Sequence, residues 1–503
     1  MSDLSLLFQN ISFTYDRATQ PIIRNISAHF TPGWTGIVGA NGVGKSTILK
    51  LATGELEPRQ GRVVMPELAI YCQQRTDNAP DQLVDLIDST DGDAFEIKGR
   101  LGVAGDWVQR WATLSHGERK RAQIAVAIWR KPQVLAVDEP TNHLDATAQD
   151  LLFDALLTFR GIGLLVSHDR KLLDGLCHQC LFVDPPEAIL RPGNYSHGLQ
   201  QAEKDEMTVQ RQRTRAKQDF MRLKRETTRR RDSASQANRR RSKRGLASKD
   251  HDARGKIDLA RVTGKDGSAG KRLNQLTGRM AQTRKKMDSL KVKKTYKIGI
   301  WMSGAKSKRN TLFNLTAGSL ALGGDQWLHF PDLAMKPDDR IALTGLNGSG
   351  KSTLIGHIMQ SLNLDMNHVT YLPQEIEART AQTVMERARE LPNEKLGQMM
   401  TVVSCLGSRP QRLMESREPS PGEIRKILLA TGIANLPHLI VMDEPTNHLD
   451  LPSIECLEQA LVDCPCGLLL VSHDQRFLDA LAHKWWHISK DKKVKGKYNL
   501  KLQ

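Results

Sequence analysis

Long apolar runs are missing from this chain. The longest are short stretches such as Gly-Leu-Leu-Leu-Val at 467–471, far below the roughly 20 residues that a membrane-crossing helix needs. No membrane-spanning segment is therefore expected. Cysteine is sparse: seven residues, an odd number, scattered over 503 positions, argue for reduced thiols rather than a disulfide framework. Cys177 and Cys180 stand at C-x-x-C spacing, but no second Cys or His pair lies at zinc-site distance. They read as buried small hydrophobes. The N-terminus, Met1-Ser2-Asp3-Leu4, has no basic region followed by an apolar stretch, so no secretory signal is expected and the protein is placed in the cytoplasm.

What is present is enough chain for two to four domains, each able to bury its own core. The net charge of +17 is concentrated in one place. Residues 196–300 hold 31 Lys or Arg against 11 Asp or Glu, a net of +20, while the remainder carries 42 basic and 45 acidic residues. Two nearly neutral segments flank a basic one, a distribution that fits a polyanion, most simply a nucleic acid. A solvated basic linker is the alternative that composition alone leaves open.

The flanking segments repeat each other. Gly39-Ala40-Asn41-Gly42-Val43-Gly44-Lys45-Ser46-Thr47 and Gly345-Leu346-Asn347-Gly348-Ser349-Gly350-Lys351-Ser352-Thr353 both match G-x-x-x-x-G-K-[ST]. Val137-Asp138-Glu139-Pro140-Thr141-Asn142-His143-Leu144-Asp145 recurs as Met442-Asp443-Glu444-Pro445-Thr446-Asn447-His448-Leu449-Asp450, and the Ser-His-Asp of His168 recurs around His473. The offsets are 305 or 306 throughout. Order and spacing preserved together mark a tandem duplication with a basic insert.

Each motif has a chemical reading. The glycines let backbone N–H groups turn inward on phosphates, the following helix N-terminus adds positive potential, and Lys45 or Lys351 reaches the terminal phosphates. Ser46 and Ser352 fall where a hydroxyl coordinates Mg²⁺. The apolar runs at 134–137 and 439–442 predict strands buried on both faces of a parallel sheet, each ending in Asp-Glu. Asp138 and Asp443 are the expected magnesium ligands, Glu139 and Glu444 the expected general bases for a water attacking the γ-phosphate. Helix capping or turn formation is the structural alternative for these carboxylates.

With these residues in view, the chain resembles two nucleotide-binding domains of the ATP-binding cassette (ABC) superfamily. Leu114-Ser115-His116-Gly117-Glu118 is similar to the family signature L-S-G-G-E, which grips the γ-phosphate bound to the opposite domain. Its second copy, Pro419-Ser420-Pro421-Gly422-Glu423, is degenerate but keeps Ser420, Gly422 and Glu423 at the same offset. The resemblance implies that Gln74 and Gln374 belong to glutamine loops, with Gln73 competing for the first place. His168 and His473 become switch histidines, and Asp145 and Asp450 the D-loop aspartates. Tyr15 is in position to stack on adenine, whereas Ala321 and Leu322 stand at the corresponding place in the second half. The family geometry closes two cassettes head to tail around two ATP molecules, one site pairing Lys45 and Glu139 with the Ser420 loop, the other pairing Lys351 and Glu444 with Ser115. Proline near the γ-phosphate removes backbone donors, so the site facing Pro419 and Pro421 is expected to turn over more slowly.

The basic insert has its own periodicity. Leu273, Leu276, Met280, Thr283, Met287 and Leu290 alternate three- and four-residue spacings, and Val209, Ala216, Phe220 and Leu223 follow a weaker version. That pattern predicts an antiparallel helical hairpin, its first arm, 199–244, reaching roughly 70 Å if unbroken. The tip is expected at 229–270, where Gly245, Gly255, Gly264, Gly267 and Gly270 break helical continuity. Arg229, Arg230, Arg231, Arg239, Arg240, Arg241, Lys243 and Arg244 supply its phosphate contacts. No aromatic residue lies in the tip, so RNA binding is expected through phosphate and shape contacts rather than stacking.

The fold expected is α/β: cassettes over 1–195 and 301–503, joined by the hairpin at 196–300. Two cassettes, the duplicated Asn-His-Leu-Asp and a long charged linker together resemble the ABC-F subfamily, ATPases that use ATP and Mg²⁺. Its members bind the ribosome at the tRNA exit site and reach with the linker toward peptidyl-tRNA and the peptidyl-transferase centre, as translation factors or as antibiotic-protection proteins. The partners expected are thus rRNA and tRNA, with no membrane and a monomer closing intramolecularly. The alternatives are the ATPase subunit of a transporter whose membrane subunits are separate chains, and a DNA-maintenance ATPase. Only 39 residues separate Gln74 from Leu114, too few for the extra arm that some subfamily members insert in the first cassette.

Overall fold

The computed structural model describes residues 4–16, 18–142, 144–240, 266–290, 304–374, 376, 378–408, 413, 420–447, 449–491, 493, 494 and 496–502. They divide into two compact units, one of Met1–Gly198 with Tyr296–Gln503, the other Leu199–Thr295.

In the first unit, apolar runs without alternation become strands buried along their whole length: Val134–Asp138, Ile162–Val166, Leu439–Asp443 and Gly467–Val471. Burial on both faces is what a helix-covered parallel sheet requires. The first cassette's sheet runs in the order Ala69–Cys72, Val134–Asp138, Ile162–Val166, Gly33–Gly39, Cys177–Asp184, Glu187–Pro192, and the last strand alone pairs antiparallel. A separate antiparallel sheet, Ile23–Phe30, Leu6–Phe13, Gln60–Val64, packs beside it. Phe8 and Phe30 lock that sheet edge to face, with centroids 5.4 Å apart, and Tyr15 sits just past its first strand.

The second cassette repeats the central order with Val369–Leu372, Leu439–Asp443, Gly467–Val471, Arg340–Gly345 and Lys484–Lys490. Here Lys497–Leu502 pairs with both Lys484–Lys490 and Gln326–Phe330, merging the hairpin of Gly318–Gly323 and Gln326–Phe330 into one eight-stranded sheet, while Phe313–Leu315 and Leu333–Met335 form a separate two-stranded sheet. In both cassettes the phosphate loop leaves the carboxyl end of an interior strand and enters a helix, Lys45–Ala52 or Lys351–Gln360, the place where open α/β sheets bind ligands. Cys177 and Cys180 are buried against the underside of the Gly33–Gly39 strand.

The helix Tyr195–Arg240 starts in the first unit and continues unbroken for 46 residues. The second unit also holds the helix Asp266–Ser289. One stripe on each is shielded: Ala216 with Val209, Phe220 and Leu223, and Leu276 with Met280, Thr283, Met287 and Leu290. Arg229, Arg230 and Arg231 lie on the first helix, inside the arm expected over 199–244 where it overlaps the expected tip, and neither Gly nor Pro stands between Gly198 and Gly245. One expectation is corrected. Gly267 and Gly270 do not break the second helix, which runs through both; a helical glycine costs only about 1 kcal/mol against alanine. Residues 241–265, including Arg241, Lys243, Arg244, Gly245, Gly255 and Gly264, lie outside the described residues. Among the described residues no helix is long and apolar enough to cross a membrane.

Candidate functional site

Gly44 and Gly350 stand at the N-caps of their helices with φ of 102° and 94°, a left-handed conformation that side chains resist and glycine adopts freely. The turn aims the loop's N–H groups at one point. Lys45 and Lys351 are buried in the mouth of it. Lys45 Nζ donates to the carbonyls of Gly39 at 2.9 Å and Ala40 at 3.0 Å, and Lys351 Nζ to those of Gly345 at 2.8 Å and Leu346 at 3.1 Å. Tyr15, half-exposed and edge-on to Phe13, shares a hydrogen bond of 3.0 Å with the Thr47 hydroxyl. In the second cassette Leu322 lines the cleft over Gly350, and in the first Ile22 covers Gly44 in the corresponding place. Ser46 and Thr353 are exposed beside their lysines.

The carboxylate strands end against these loops. Ser352 Oγ donates to Asp443 Oδ2 at 2.6 Å, and the other oxygen of Asp443 is buried with no hydrogen bond among the described residues. An unpaired carboxylate oxygen beside a serine hydroxyl suits a hard cation such as Mg²⁺. In the first cassette Asp138 bonds Ser46 and accepts from the Tyr71 hydroxyl at 2.9 Å. Burial pushes the carboxyl groups of Asp138 and Asp443 upward, and their serine bonds partly offset it.

Glu139 and Glu444 follow with φ of 44° and 50°. Non-glycine residues held there store strain of order 1 kcal/mol or more, which clusters at functional sites. Each is fixed by its amide donating across the sheet, Glu139 to Val166 O and Glu444 to Val471 O, both at 2.8 Å. The switch positions face them. His168 Nε2 lies 3.0 Å from Glu139, and His473 Nε2 lies 3.4 Å from Glu444 while also meeting Asn347 Oδ1 at 3.1 Å. The two glutamates diverge. Burial raises both, but the nearby His168 and Lys45 outweigh it and leave Glu139 below its ordinary value, whereas Glu444 is pushed up to about 7. Burial and Lys351 lower His473 to about 4.

The cassettes meet through their D-loops. Asp450 caps the helix Leu451–Val462 by accepting from Ser453 N, and its other oxygen accepts from the backbone N–H of Asn41 in the first phosphate loop at 2.7 Å. Asp145 caps Ala146–Leu157, and the residues after it share one cleft of ≈ 620 Å³ with Lys351, Ser352, Gln374 and His473. Each phosphate loop thus faces the other cassette's D-loop, which is a head-to-tail arrangement. Ser115 and Ser420 are engaged locally. Each closes a capping box with its own Glu118 or Glu423, at 2.8 Å and 3.3 Å in both copies. The Pro421 copy therefore keeps the same local backbone geometry, proline being at home in the first helical turn. Gly117 and Gly422 are buried behind them, and Gln74 is exposed at the turn after Ala69–Cys72. Arg229, Arg230 and Arg231 are exposed along the long helix, Arg230 paired with Glu226, and Arg239 and Arg240 close it.

Two groups of residues escaped the sequence motifs. Lys120 and Arg425, buried on the helices after the signatures, donate to main-chain carbonyls around Asp138 and Glu444; their common offset of 305 was the available signal. Arg170, 4% exposed, crosses between cassettes to Glu458 at 2.8 Å and Asp474 at 3.2 Å, and the Tyr195 hydroxyl donates to Glu455 at 2.7 Å. These are unlike residues joined over long separations, and no repeat marks them.

The family model described as ABC transporter matches residues 23–142 and again 328–447. The ribosome protection protein VmlR of Bacillus subtilis (strain 168) is 27% identical over 476 residues, covering 93% of this chain and 84% of that protein. The energy-dependent translational throttle protein EttA of Escherichia coli (strain K12) is 26% identical over 533 residues, covering 92% and 88%. Among solved structures, an RNase-L inhibitor superposes with a TM-score of 0.61 at 17% identity, over 98% of this chain and 90% of that one, a likeness of fold. With its two matched cassettes and these relatives along nine-tenths of its length, the chain belongs to the ATP-binding cassette superfamily, as an ATP-hydrolysing protein of the tandem-cassette ABC-F subfamily.

Proposed function

We propose that this protein is a ribosome-associated ATPase of the cytoplasm. ATP closes its cassettes, the closed state fixes the basic insert against ribosomal RNA and tRNA, and hydrolysis releases it. The insert reaches from the tRNA exit site toward peptidyl-tRNA and the peptidyl-transferase centre, to modulate translation or to protect against a ribosome-targeting antibiotic. The observation that carries this reading is the continuous 46-residue helix from Tyr195 to Arg240, within a span of net charge +20. A helix of that length extends about 70 Å at 1.5 Å per residue, more than a tether between cassettes needs. The relatives' names, one a ribosome protection protein and one a translational throttle, supply the class of partner.

Within each cassette the residues divide the work. The phosphate loops, with Lys45 and Lys351, hold the phosphates; Tyr15 supports adenine in the first site. Asp138 with Ser46, and Asp443 with Ser352, hold Mg²⁺, which neutralises developing charge on the phosphates when bound. Glu139 and Glu444 take the proton of the attacking water, and His168 and His473 orient them. Gln74 and Gln374 sense that centre, while Ser115 and Ser420 reach the γ-phosphate of the opposite site. Asp145 and Asp450 link each site to the other. The chain works as a monomer of cassette 1–195, hairpin 196–300 and cassette 301–503.

Pelleting with purified ribosomes over a salt series tests the partner. Binding should fall steeply with salt, and replacing Arg229, Arg230 and Arg231 by alanine should weaken it and flatten the salt slope by about one unit per lost phosphate contact. Purification with membranes instead of ribosomes would favour the transporter-subunit reading.

A further inference from the structure

At position 120 the first cassette carries a lysine, and 305 residues later the second carries Arg425. Both lie one turn inside the helix that follows a signature, His116–Trp129 or Pro421–Ile433, and both are almost fully buried, at 4% and 3% exposure. Isolated buried cations are costly, so their partners matter. Lys120 Nζ donates to Gln73 O at 2.7 Å and to Asp138 O at 3.0 Å. Arg425 donates to Glu444 O at 2.9 Å, Asn447 O at 3.0 Å and Pro373 O at 2.9 Å, and bonds Gln374 O as well.

Every one of these acceptors is a main-chain carbonyl, and together they belong to three segments. Gln73, Pro373 and Gln374 form the glutamine loops, Asp138 and Glu444 end the carboxylate strands, and Asn447 leads toward the D-loop. The strand ends need such a partner. The left-handed turn at Glu139 and Glu444 lifts the chain out of its ladder, leaving carbonyls that a buried donor must satisfy. Charge-assisted bonds are the short, strong kind, and arginine's planar fork spans more acceptors than lysine's single nitrogen.

We propose that Lys120 and Arg425 are positioning residues for ATP hydrolysis, each clamping its glutamine loop to the end of its carboxylate strand from the base of the signature helix. Neither touches the reacting atoms. Movement of a signature helix toward nucleotide is transmitted by these cations to the backbone that carries the base and the metal-binding aspartate. The second cassette's clamp extends to the D-loop because Arg425 also holds Asn447. The inference uses the roles proposed above for Glu139, Glu444 and the glutamine loops, and it does not involve the ribosome.

The test is steady-state ATPase kinetics on the full chain, with binding of a fluorescent ATP analogue and thermal melting measured alongside. Lys120→Met and Arg425→Met keep the apolar stem and remove the charge. Measured so that only the affected site turns over, Lys120→Met in the Glu444→Gln background and Arg425→Met in the Glu139→Gln background, each should lower kcat on the order of 10- to 100-fold, the scale of a displacement near 1 Å in a catalytic centre. KM for ATP and analogue binding should stay within about threefold, because ground-state binding is not the clamp's task. The exchange Lys120→Arg should restore kcat to near the parental value. Should methionine prevent folding, Lys120→Gln and Arg425→Gln, which keep a donor without the charge, are read the same way. Parental kcat in the neutral variants, a loss carried wholly by KM, or a Lys120→Arg variant as slow as Lys120→Met would each overturn the inference. Glu139→Gln with Glu444→Gln is the reference. If that double variant hydrolyses ATP at the parental rate, the assignment of the bases fails; if it is inactive while the clamp variants are unaffected, only the clamp fails.

Discussion

The backbone N–H of Asn41 donates to the carboxylate of Asp450 at 2.7 Å, joining the phosphate loop of one cassette to the D-loop of the other. The same carboxylate caps Leu451–Val462, so one side chain stabilises a helix and monitors the opposite site. Burial raises its carboxyl pKa, but Lys426, Ser453 and Asn41 outweigh that and hold it below the ordinary value. Its contribution to stability is therefore present above the ordinary carboxylate range and is lost as pH falls through the lowered value. Asparagine caps as well as aspartate. Asp450→Asn should keep the cap but lower the melting temperature modestly near neutral pH, where the charged contribution is present, flatten the acid-dependent loss, and reduce kcat/KM several-fold by weakening the charged link to Asn41. Asp450→Ala should in addition cost about 1 kcal/mol from the lost cap. Thermal melts at two pH values with ATPase assays check both.

The two bases should titrate differently in the free enzyme. Glu444, pushed up to about 7 by burial, is protonated and unable to accept a proton below that pH. Glu139 is held below its ordinary value by His168 and Lys45 against the upward push of burial. The pH profile of kcat/KM reports free-enzyme groups. The Glu139→Gln variant, left with Glu444, should show activity rising with pH through about 7, whereas Glu444→Gln should lack that limb. For stability the sign is the reverse. Glu444 favours its protonated form on folding, so its contribution is lost as pH rises from the ordinary glutamate value to about 7, and Glu444→Gln should remove that loss.

Arg170 is a buried cation that crosses between the cassettes. Removing it by Arg170→Met leaves Glu458 and Asp474 facing each other without their cation. Breaking a buried pair costs about 3–5 kcal/mol, and the partial exposure of both acids places this case toward the lower figure. A lowered denaturant midpoint should result, and adding Glu458→Gln should recover part of it, since one of the two unpaired charges is then gone.

Tyr195 opens the long basic helix and is itself buried, its hydroxyl on Glu455 of the second cassette. Its neighbour Ser196 donates to Asp174 of the first at 2.5 Å, and Arg476 of the second reaches that serine at 3.1 Å. Tyr195→Phe removes one donor and leaves a carboxylate short of a partner, a change worth about 1–3 kcal/mol. A double-mutant cycle with Glu455→Gln should show coupling of at least about 0.5 kcal/mol; additive effects would mean that the bond contributes nothing.

The parts of this fold that the sequence made plain are those whose chemistry is local. Gly44 and Gly350 must be glycine for their φ, and Val134 to Val137 must be apolar because both faces of that strand are covered; each shows in a few consecutive letters. The insert's seam was legible for the same reason, through the spacing of Leu276, Met280, Thr283 and Met287. Lys120 and Arg425 were not, because a buried cation on a helix looks like a solvated one until its acceptors, up to 52 residues away, are brought beside it. Arg170 and Tyr195 have partners 260 to 304 residues distant and differ from their counterparts in the other half, so even the duplication gave no sign. Glycine was over-read at Gly267 and Gly270, where a modest helix penalty was taken for an interruption.

In the proposed cycle ATP, before it is hydrolysed, sets the state that holds the ribosome. Sedimentation of the Glu139→Gln, Glu444→Gln double variant with ribosomes, in ATP and separately in ADP, tests it most directly. The variant is expected to pellet with ribosomes in ATP and to stay in the supernatant in ADP. A variant that binds ATP yet remains in the supernatant in both nucleotides would contradict it.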